Sequence, residues 1–309
     1  MQRVQIAGLA RVTGSLAVLL LTGCEQVLDI PDDPRVVEGA DPWRCLGKVA
    51  EPAAPTSQTA KVRIQACNFI STNCATPVTG LTASLCDRLD VSCSNPVATN
   101  ITDEGGALIF DVPTGGVLGT GFDGYLQITA PSELCTNEEV FGASSGVLCA
   151  LVGCNTAAPS EVCRVPTFAP SLLFFNPTIR ADVVQPIPLP LLPTSALQPV
   201  LAEVGKTFDP LTGTLFISSR DCDGAPAADV AYALNEHGDV ASELYSINGN
   251  ISGTAKHTDA SGLGGFIGVP AGFVEVAGFL GDESGPRIGA TAVRSVAFHV
   301  TYSTVAPSP

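Results

Sequence analysis

Histidines are the side chains best suited to acid–base chemistry in this 309-residue sequence, and there are three of them. A hydrolytic triad needs an imidazole beside a carboxylate and a hydroxyl. His237 falls in a polar turn, and His257 and His299 fall in predicted strands, so we expect each to be structural or solvent-facing. The sequence also lacks a Gly-x-Ser-x-Gly elbow, a His-Glu-x-x-His motif and a phosphate-binding loop. We therefore expect that the protein is not an enzyme and that it binds no cofactor.

Carboxylates stand close together at two places, Asp103-Glu104 and Asp221-Cys222-Asp223-Gly224. A close pair could act as acid and base, and the second segment is similar to the start of a calcium loop. Both pairs lie beside turn glycines, where Asp accepts hydrogen bonds from backbone amides. The calcium pattern also lacks a third acidic position and the closing Glu. We expect both pairs to stabilise turns.

Cysteine is abundant, with eleven residues. Cys24 stands apart from the others, at the end of an N-terminal apolar segment. The remaining ten are an even set, which in an exported chain predicts up to five disulfides. We expect no metal, because there is no Cys-x-x-Cys pair and the histidines lie far from the cysteine-rich region. The ten disulfide candidates are Cys45, Cys67, Cys74, Cys86, Cys93, Cys135, Cys149, Cys154, Cys163 and Cys222.

Two pairs of these cysteines repeat one spacing. Cys67 and Cys74 are seven residues apart, Cys86 and Cys93 are seven apart, and the pairs are offset by 19. This offset favours two bridges across neighbouring strands, although connectivity cannot be deduced from spacing. Residues 134–164 hold four further cysteines in a stretch rich in Gly, Ser and Ala, which we interpret as an insertion loop stabilised by disulfides.

The N-terminus has the plan of a signal peptide. Arg3 and Arg11 supply a basic start, and residues 15–21 form an apolar core that is shorter than the ~20 residues of a membrane-spanning helix. Leu21-Thr22-Gly23-Cys24 resembles the lipobox of bacterial lipoproteins. The resemblance implies cleavage before Cys24, a diacylglycerol on its thiol and anchoring to membrane lipid. The alternative is an ordinary signal peptide followed by a coincidental cysteine.

Net charge narrows the choice of partners. Cleavage after residue 23 removes Arg3 and Arg11 from the 15 basic side chains and none of the 30 acidic ones, so the mature chain is strongly acidic. Such a surface repels phosphate backbones, and we expect no nucleic acid. An envelope protein or a polysaccharide is the expected partner. We place the protein in the cell envelope, on the periplasmic or cell-surface side, and favour the outer membrane over the inner.

Composition predicts an all-β fold. Gly and Pro are abundant, with 31 and 24 residues, and no long amphipathic repeat is visible. Alternating apolar residues predict strands at 61–66, 81–85, 97–101, 107–112 and 122–129, and a final strand from Val296 to Tyr302. Leu197, Val200, Leu201 and Val204 recur at helical spacing before Gly205, which predicts one short helix.

The mature length exceeds one typical domain, so we expect two β-sandwich domains. The predicted organisation is a signal peptide over residues 1–23, a Pro-rich polar tether over 24–56, a first domain over 57–176, a linker over 177–209 and a second domain over 210–309. Alternate prolines in Gln185–Pro193 argue against a central strand or a helix there.

An internal repeat relates the two halves. Residues 102–115 and 258–272 both contain Thr-Asp, a Gly four residues after the Thr, and an apolar strand that ends in Val-Pro-x-Gly. In physical terms the pattern is an Asp-capped turn, a buried strand and a second turn. The pattern resembles the carboxypeptidase regulatory-like, or prealbumin-like (transthyretin-like), β-sandwich family. The second copy departs from it at Gly264 and Gly265, where the family prefers bulky residues, and by one extra residue before Pro270.

The family resemblance implies two tandem seven-stranded antiparallel sandwiches without catalytic apparatus, used as spacers, stabilisers or binding units. We therefore expect a non-catalytic structural or interaction module. A carbohydrate-binding module is the first alternative, because aromatic rings beside polar groups can form sugar-binding faces. The candidate rings are Phe122, Tyr125, Phe174, Phe175 and Trp43. An extracytoplasmic hydrolase is the second alternative, and it requires a pocket that holds His257 or His299 beside a carboxylate and a hydroxyl.

Overall fold

Strands dominate the computed structural model, which describes residues 42–48, 54–55, 58–69, 74–115, 121–136, 162–207, 209–235 and 240–307. The expected all-β class is confirmed. Among the described residues, one α-helix, α1, covers Leu197–Glu203 and ends before Gly205, as the sequence predicts. The strands are β1 Thr59–Asn68, β2 Thr82–Asp87, β3 Ala98–Ile101, β4 Ala107–Pro113, β5 Gly124–Thr129, β6 Ser132–Thr136, β7 Val162–Pro166, β8 Ser171–Phe174, β9 Ile187–Leu191, β10 Thr212–Ser219, β11 Val230–Leu234, β12 Ser242–Ile247, β13 Asn250–Ser252, β14 Leu263–Pro270, β15 Gly272–Leu280, β16 Arg287–Ser295 and β17 Val300–Val305.

Both halves of the chain contribute to one central sheet. Its nine strands lie in the order β13-β12-β14-β10-β17-β8-β5-β2-β3, and two smaller sheets have the orders β4-β1-β9 and β11-β15-β16. The halves meet where β17 pairs in parallel with β8. The two sandwiches expected from the sequence therefore share a continuous sheet.

The hydrophobic core is divided between the two faces of the central sheet. In β10, Phe216 packs into one cluster of buried residues while Leu215 and Ile217 pack into the other. In β8, Leu173 and Phe174 divide in the same way. Successive strand residues point to opposite faces, so each core lies on its own face. The first cluster includes most of the buried apolar residues of β1, β4 and β9, and the second includes most of those of β11, β15 and β16.

Strand pairing shows that the halves repeat one topology. Strand β1 pairs antiparallel with β4 and parallel with β9, and β10 pairs antiparallel with β14 and parallel with β17. Likewise β5 lies between β2 and β8, as β15 lies between β11 and β16. The sequence repeat thus coincides with a structural repeat, in which β4 and β14 are the equivalent motif strands.

The Thr-Asp turn has the same geometry in both copies. The Thr102 hydroxyl accepts a hydrogen bond from the Leu81 amide at 2.9 Å, and the Thr258 hydroxyl accepts one from the Val230 amide at 3.1 Å. Gly106 and Gly262 each take a positive φ, of 75° and 64°. The buried threonine therefore fixes the motif turn to the start of β2 in one half and of β11 in the other.

The departures in the second copy have a structural reason. A Cβ atom on Gly264 would lie 2.7 Å from the Tyr245 ring, and one on Gly265 would overlap the Leu215 carbonyl oxygen. Tyr245 and Tyr232 stack with ring centroids 5.9 Å apart and fill the space that bulky motif residues would take. The extra residue is Gly268, which the β10–β14 register skips, so that Thr214 pairs with Ile267 and Gly213 with Val269. This two-against-one pairing is a β-bulge.

Two sequence expectations need correction. The Pro-rich segment is not only a linker, because Ile187–Leu191 forms β9 and Leu189 and Leu191 are buried. Strand β9 lies at the edge of its sheet, where a missing proline N–H costs no ladder hydrogen bond. The final strand begins at Val300 and not at Val296, because a turn that includes Phe298 at a φ of 62° precedes it.

Candidate functional site

The carboxylate pairs stabilise turns, as the sequence predicts. Asp103 Oδ1 accepts hydrogen bonds from the Gly105 and Ala107 amides at 2.9 and 2.7 Å. Asp221 Oδ1 accepts two more, from Asp223 and Ala225, each at 2.9 Å. Within the described parts of the chain, no group of three or more His, Cys, Asp or Glu side chains is arranged to hold a metal ion.

Three disulfides are present among the described cysteines. They join Cys67 to Cys74, Cys86 to Cys93, and Cys45 to Cys222. The expectation of two bridges across neighbouring strands was wrong, because each seven-residue spacing closes a local loop and β1 and β2 belong to different sheets. Three disulfides in one chain indicate an oxidising, extracytoplasmic compartment.

Four cysteine predictions fall in or beside the insertion. Cys149 and Cys154 lie outside the described residues, as do Cys24 and the whole lipobox. The backbone of β6 pairs antiparallel with that of β7, and this register sets the Cα atom of Cys135 opposite that of Cys163. Directly opposed Cα atoms in such a pair lie roughly 4.5–5.5 Å apart, a separation that a disulfide can bridge.

The segment 42–48, expected to belong to a polar tether, lies against the body. The Cys45–Cys222 disulfide bonds it to the second half, and Arg44 forms an ion pair with Asp223. That guanidinium lowers the pKa of the Asp223 carboxyl from its usual value. Leu46 is buried, and both it and Trp43 pack into the second core cluster. This part of the chain therefore adds to the core on the second face of the shared sheet.

The aromatic residues proposed for sugar binding are mostly core residues. Phe122, Tyr125, Phe174 and Phe175 are each no more than 4% exposed. Phe174 stacks on Tyr125, and the Arg88 guanidinium lies 5.6 Å from its ring centre. A sugar ring has no access to these faces, so stacking on them gives no support to carbohydrate binding.

One histidine lines a cavity. His299 borders a space of about 240 Å³ beneath α1, together with Lys206, Asp209, Thr212 and mostly apolar side chains. Its Nδ1 lies 2.8 Å from the Ala297 carbonyl oxygen. Because that oxygen can only accept, Nδ1 carries the hydrogen and Nε2 the lone pair. Burial lowers the pKa of His299, which favours the neutral ring.

The cavity does not form a hydrolytic triad. Nδ1 of His299 bonds a backbone carbonyl, where a triad has a carboxylate. The carboxylate and the hydroxyl of the cavity are bonded elsewhere. Asp209 Oδ1 accepts a hydrogen bond from the Leu211 amide at 2.9 Å, and the Thr212 hydroxyl donates one to the Asp209 carbonyl oxygen at 2.9 Å. His257 is exposed beside Asp229, with 3.5 Å between Nδ1 and Oδ1, and His237 lies outside the described residues.

A larger groove lies beside the Cys45–Cys222 disulfide. Its volume is about 820 Å³, and its walls come from the tether, the segment 173–188, the turn 220–224 and the end of β17. Lys48, Arg180 and Arg220 line it, with Asp221 as the acidic side chain among the lining residues. Sequence reasoning missed this site, because its cations lie far apart in the chain and share no motif.

The chain is similar to several solved structures at low sequence identity. No protein-family model and no curated protein matches the chain. Among solved structures, the shaft pilin SpaA from Lactobacillus rhamnosus GG is 12% identical at a TM-score of 0.24, over 81% of this chain and 98% of that one. The minor pilin GBS52 of Streptococcus agalactiae is 16% identical at a TM-score of 0.20, over 81% and 98%. The Bacillus anthracis TIE protein is 11% identical at 0.24, and the chain spans about a third of its length, 34%.

Proposed function

We propose that this protein is a non-catalytic lipoprotein of the cell envelope, anchored through an acylated Cys24, whose two β-sandwiches act as a structural or interaction module. The observation that carries the proposal is the Cys45–Cys222 disulfide, which bonds the segment that follows the anchor to the second half of the body. Tension applied to the N-terminal segment would reach the second half through this bond without passing through the first half.

The proposal places the membrane contact at the lipid on Cys24. Among the described residues, the structure has no apolar helix of membrane-spanning length. Two acyl chains suffice for stable anchoring, whereas one gives only marginal binding. The proposed organisation keeps a signal peptide at residues 1–23 and a tether from Cys24, with the tether ending where residues 42–48 meet the body.

Acylation is tested by labelling cells with an alkyne-bearing palmitate analogue. We expect the label on the native protein, its recovery in the membrane fraction, and the loss of both in Cys24→Ser. The matched control is the double variant Cys67→Ser with Cys74→Ser, because it removes two other cysteines as a bonded pair and should leave the label in place. A native protein that is soluble and unlabelled would contradict the proposed anchor.

The proposed extracytoplasmic location also predicts that cysteines of the insertion form a disulfide. Peptide mapping under non-reducing conditions should join Cys135 to Cys163, because the β6–β7 register sets their Cα atoms opposite each other. Thiol–disulfide exchange with an envelope disulfide oxidoreductase would supply the oxidant, and two thiols then lose two protons and two electrons. Recovery of Cys135 as a free thiol, or bonded to Cys149, would contradict this pairing.

A further inference from the structure

The groove beside the Cys45–Cys222 disulfide differs in charge from the rest of the molecule. The chain has twice as many acidic as basic side chains, 30 against 15, but three cations and one carboxylate line the groove. That carboxylate, on Asp221, already accepts two backbone amides. Lys48 is exposed at the wall that the tether forms. The groove therefore attracts an anion that most of the surface repels.

The groove wall disfavours a peptide that binds by strand addition. A peptide that added a strand to a free sheet edge would need backbone N–H donors there. The edge strand that borders the groove is β9, in which Pro188 and Pro190 have no N–H. A sugar chain needs no such ladder, because it binds through side chains and through its own hydroxyl and acidic groups.

The size of the groove fits a short length of polymer. Its volume of about 820 Å³ lies within the range of about 300–1,000 Å³ that is typical of ligand sites. The groove offers no exposed ring for stacking, since Phe174 and Phe175 are each 3% exposed. Recognition must then come from charge and from polar contacts. Arg and Lys side chains supply both toward a carboxylate or a phosphate.

We propose that this groove binds an anionic polysaccharide, with Lys48, Arg180 and Arg220 as contacts for its acidic groups. The inference deepens the proposed interaction module and rests on it, because an envelope location is where such polymers occur. The tether forms one wall of the groove through Cys45 and Lys48, so the disulfide that holds the tether also shapes the site.

Binding is measured by biolayer interferometry with the mature chain purified from envelopes in detergent, whether or not it is acylated. Polygalacturonate is the charged probe, dextran the neutral probe and polyglutamate the peptide probe. We expect binding to polygalacturonate that weakens with salt. Lys48→Glu should weaken it about tenfold, which corresponds to about 1.4 kcal/mol. The control is Lys256→Glu, which reverses one exposed charge beside β12, three strands away from β17 in the central sheet and not among the groove-lining residues.

Each other outcome overturns the proposal. No binding to polygalacturonate means that the groove is not a site for anionic polysaccharide. Equal losses in Lys48→Glu and Lys256→Glu mean that net charge, and not the groove, governs binding. Equal affinity for dextran removes the role of charge, and equal affinity for polyglutamate removes the role of the sugar. Acylation is read from the palmitate label alone, so its failure is distinguishable from a failure of binding.

Discussion

The two copies of the repeated motif begin with the same turn but lie in different surroundings. Strand β4 is the edge of a three-stranded sheet, whereas β14 lies between β12 and β10 in the nine-stranded sheet. Ile109 of β4 is 42% exposed, and the equivalent residue of β14, Gly265, is buried against the backbone of β10. The same Thr-Asp motif therefore forms the turn in both halves. The neighbouring strands determine which side chains fit in the strand after the turn.

The largest expected effect is a difference in stability between variants at equivalent positions of β14 and β4. Gly265→Val should cost about 4 kcal/mol or more of unfolding free energy, because its Cβ would overlap the Leu215 carbonyl oxygen and its φ of 152° is unfavourable for a branched residue. Ile109→Ala should cost only about 0.5 kcal/mol, as is usual for exposed positions. Urea denaturation measures both. Similar costs at the two positions would mean that β4 and β14 do not differ as described.

The second prediction compares a disulfide within the first half with the disulfide that joins the tether to the second half. Cys67–Cys74 closes a separation of 7 residues, and Cys45–Cys222 closes one of 177. Chain entropy favours the longer loop, so the double Ser variant of Cys45 and Cys222 should lose about 4 kcal/mol and that of Cys67 and Cys74 about 2 kcal/mol. Thermal unfolding followed by circular dichroism checks the order. A reversed order would show that the tether adds little to the folded body.

The sequence predicts the local elements better than their assembly. Alternation in β1 and β2, the helix before Gly205 and the Thr-Asp turns are each encoded within a few neighbouring residues. The shared sheet is not, because the parallel pairing of β17 with β8 joins residues over 120 positions apart, such as Val300 and Ser171. No periodicity within either strand carries information about such a partner.

The candidate site shows the same limit. Cys45 and Cys222 were both predicted to form disulfides, but only the folded chain brings them together and places Lys48 at the groove wall. The rings of Phe174 and Phe175 were identified as a possible sugar-binding surface and are buried instead. The chain is only 6% aromatic, so its few aromatic residues are needed to fill the two cores. The position of a residue in the sequence does not show this.

The motif threonines test how closely the halves match. Thr102→Val leaves the Leu81 amide without its acceptor, and Thr258→Val removes the acceptor of the Val230 amide and also a donor to the Ala227 carbonyl at 2.9 Å. Each loss should cost about 1–3 kcal/mol, with the greater cost at Thr258. Denaturation midpoints give the order, and Thr102→Ser, which keeps the hydroxyl, serves as control. If Thr258→Val left the free energy of unfolding unchanged, the shared role of the buried threonine would be contradicted.

The smallest expected effect concerns the cavity in the second half, where His299 precedes β17. Pro186, which precedes the equivalent strand β9, has no titratable group. Burial is the main cause that lowers the pKa of His299 below its usual 6.5, with Arg294 acting in the same direction. The folded state then holds this proton less tightly than the unfolded state, so its stabilising contribution is complete above about pH 6.5 and is lost as the pH falls toward the lowered pKa.

His299→Asn should reduce this loss, because an amide can still donate to the Ala297 carbonyl without gaining a charge. Denaturation of both proteins on either side of pH 6.5 measures the difference, which should lie within about 1 kcal/mol. His257→Asn removes an exposed imidazole and controls for a general effect of losing histidine. If both variants flatten the pH dependence equally, the cavity does not account for it. A larger change in His299→Asn alone would identify the space beneath α1 as a pH-sensitive element.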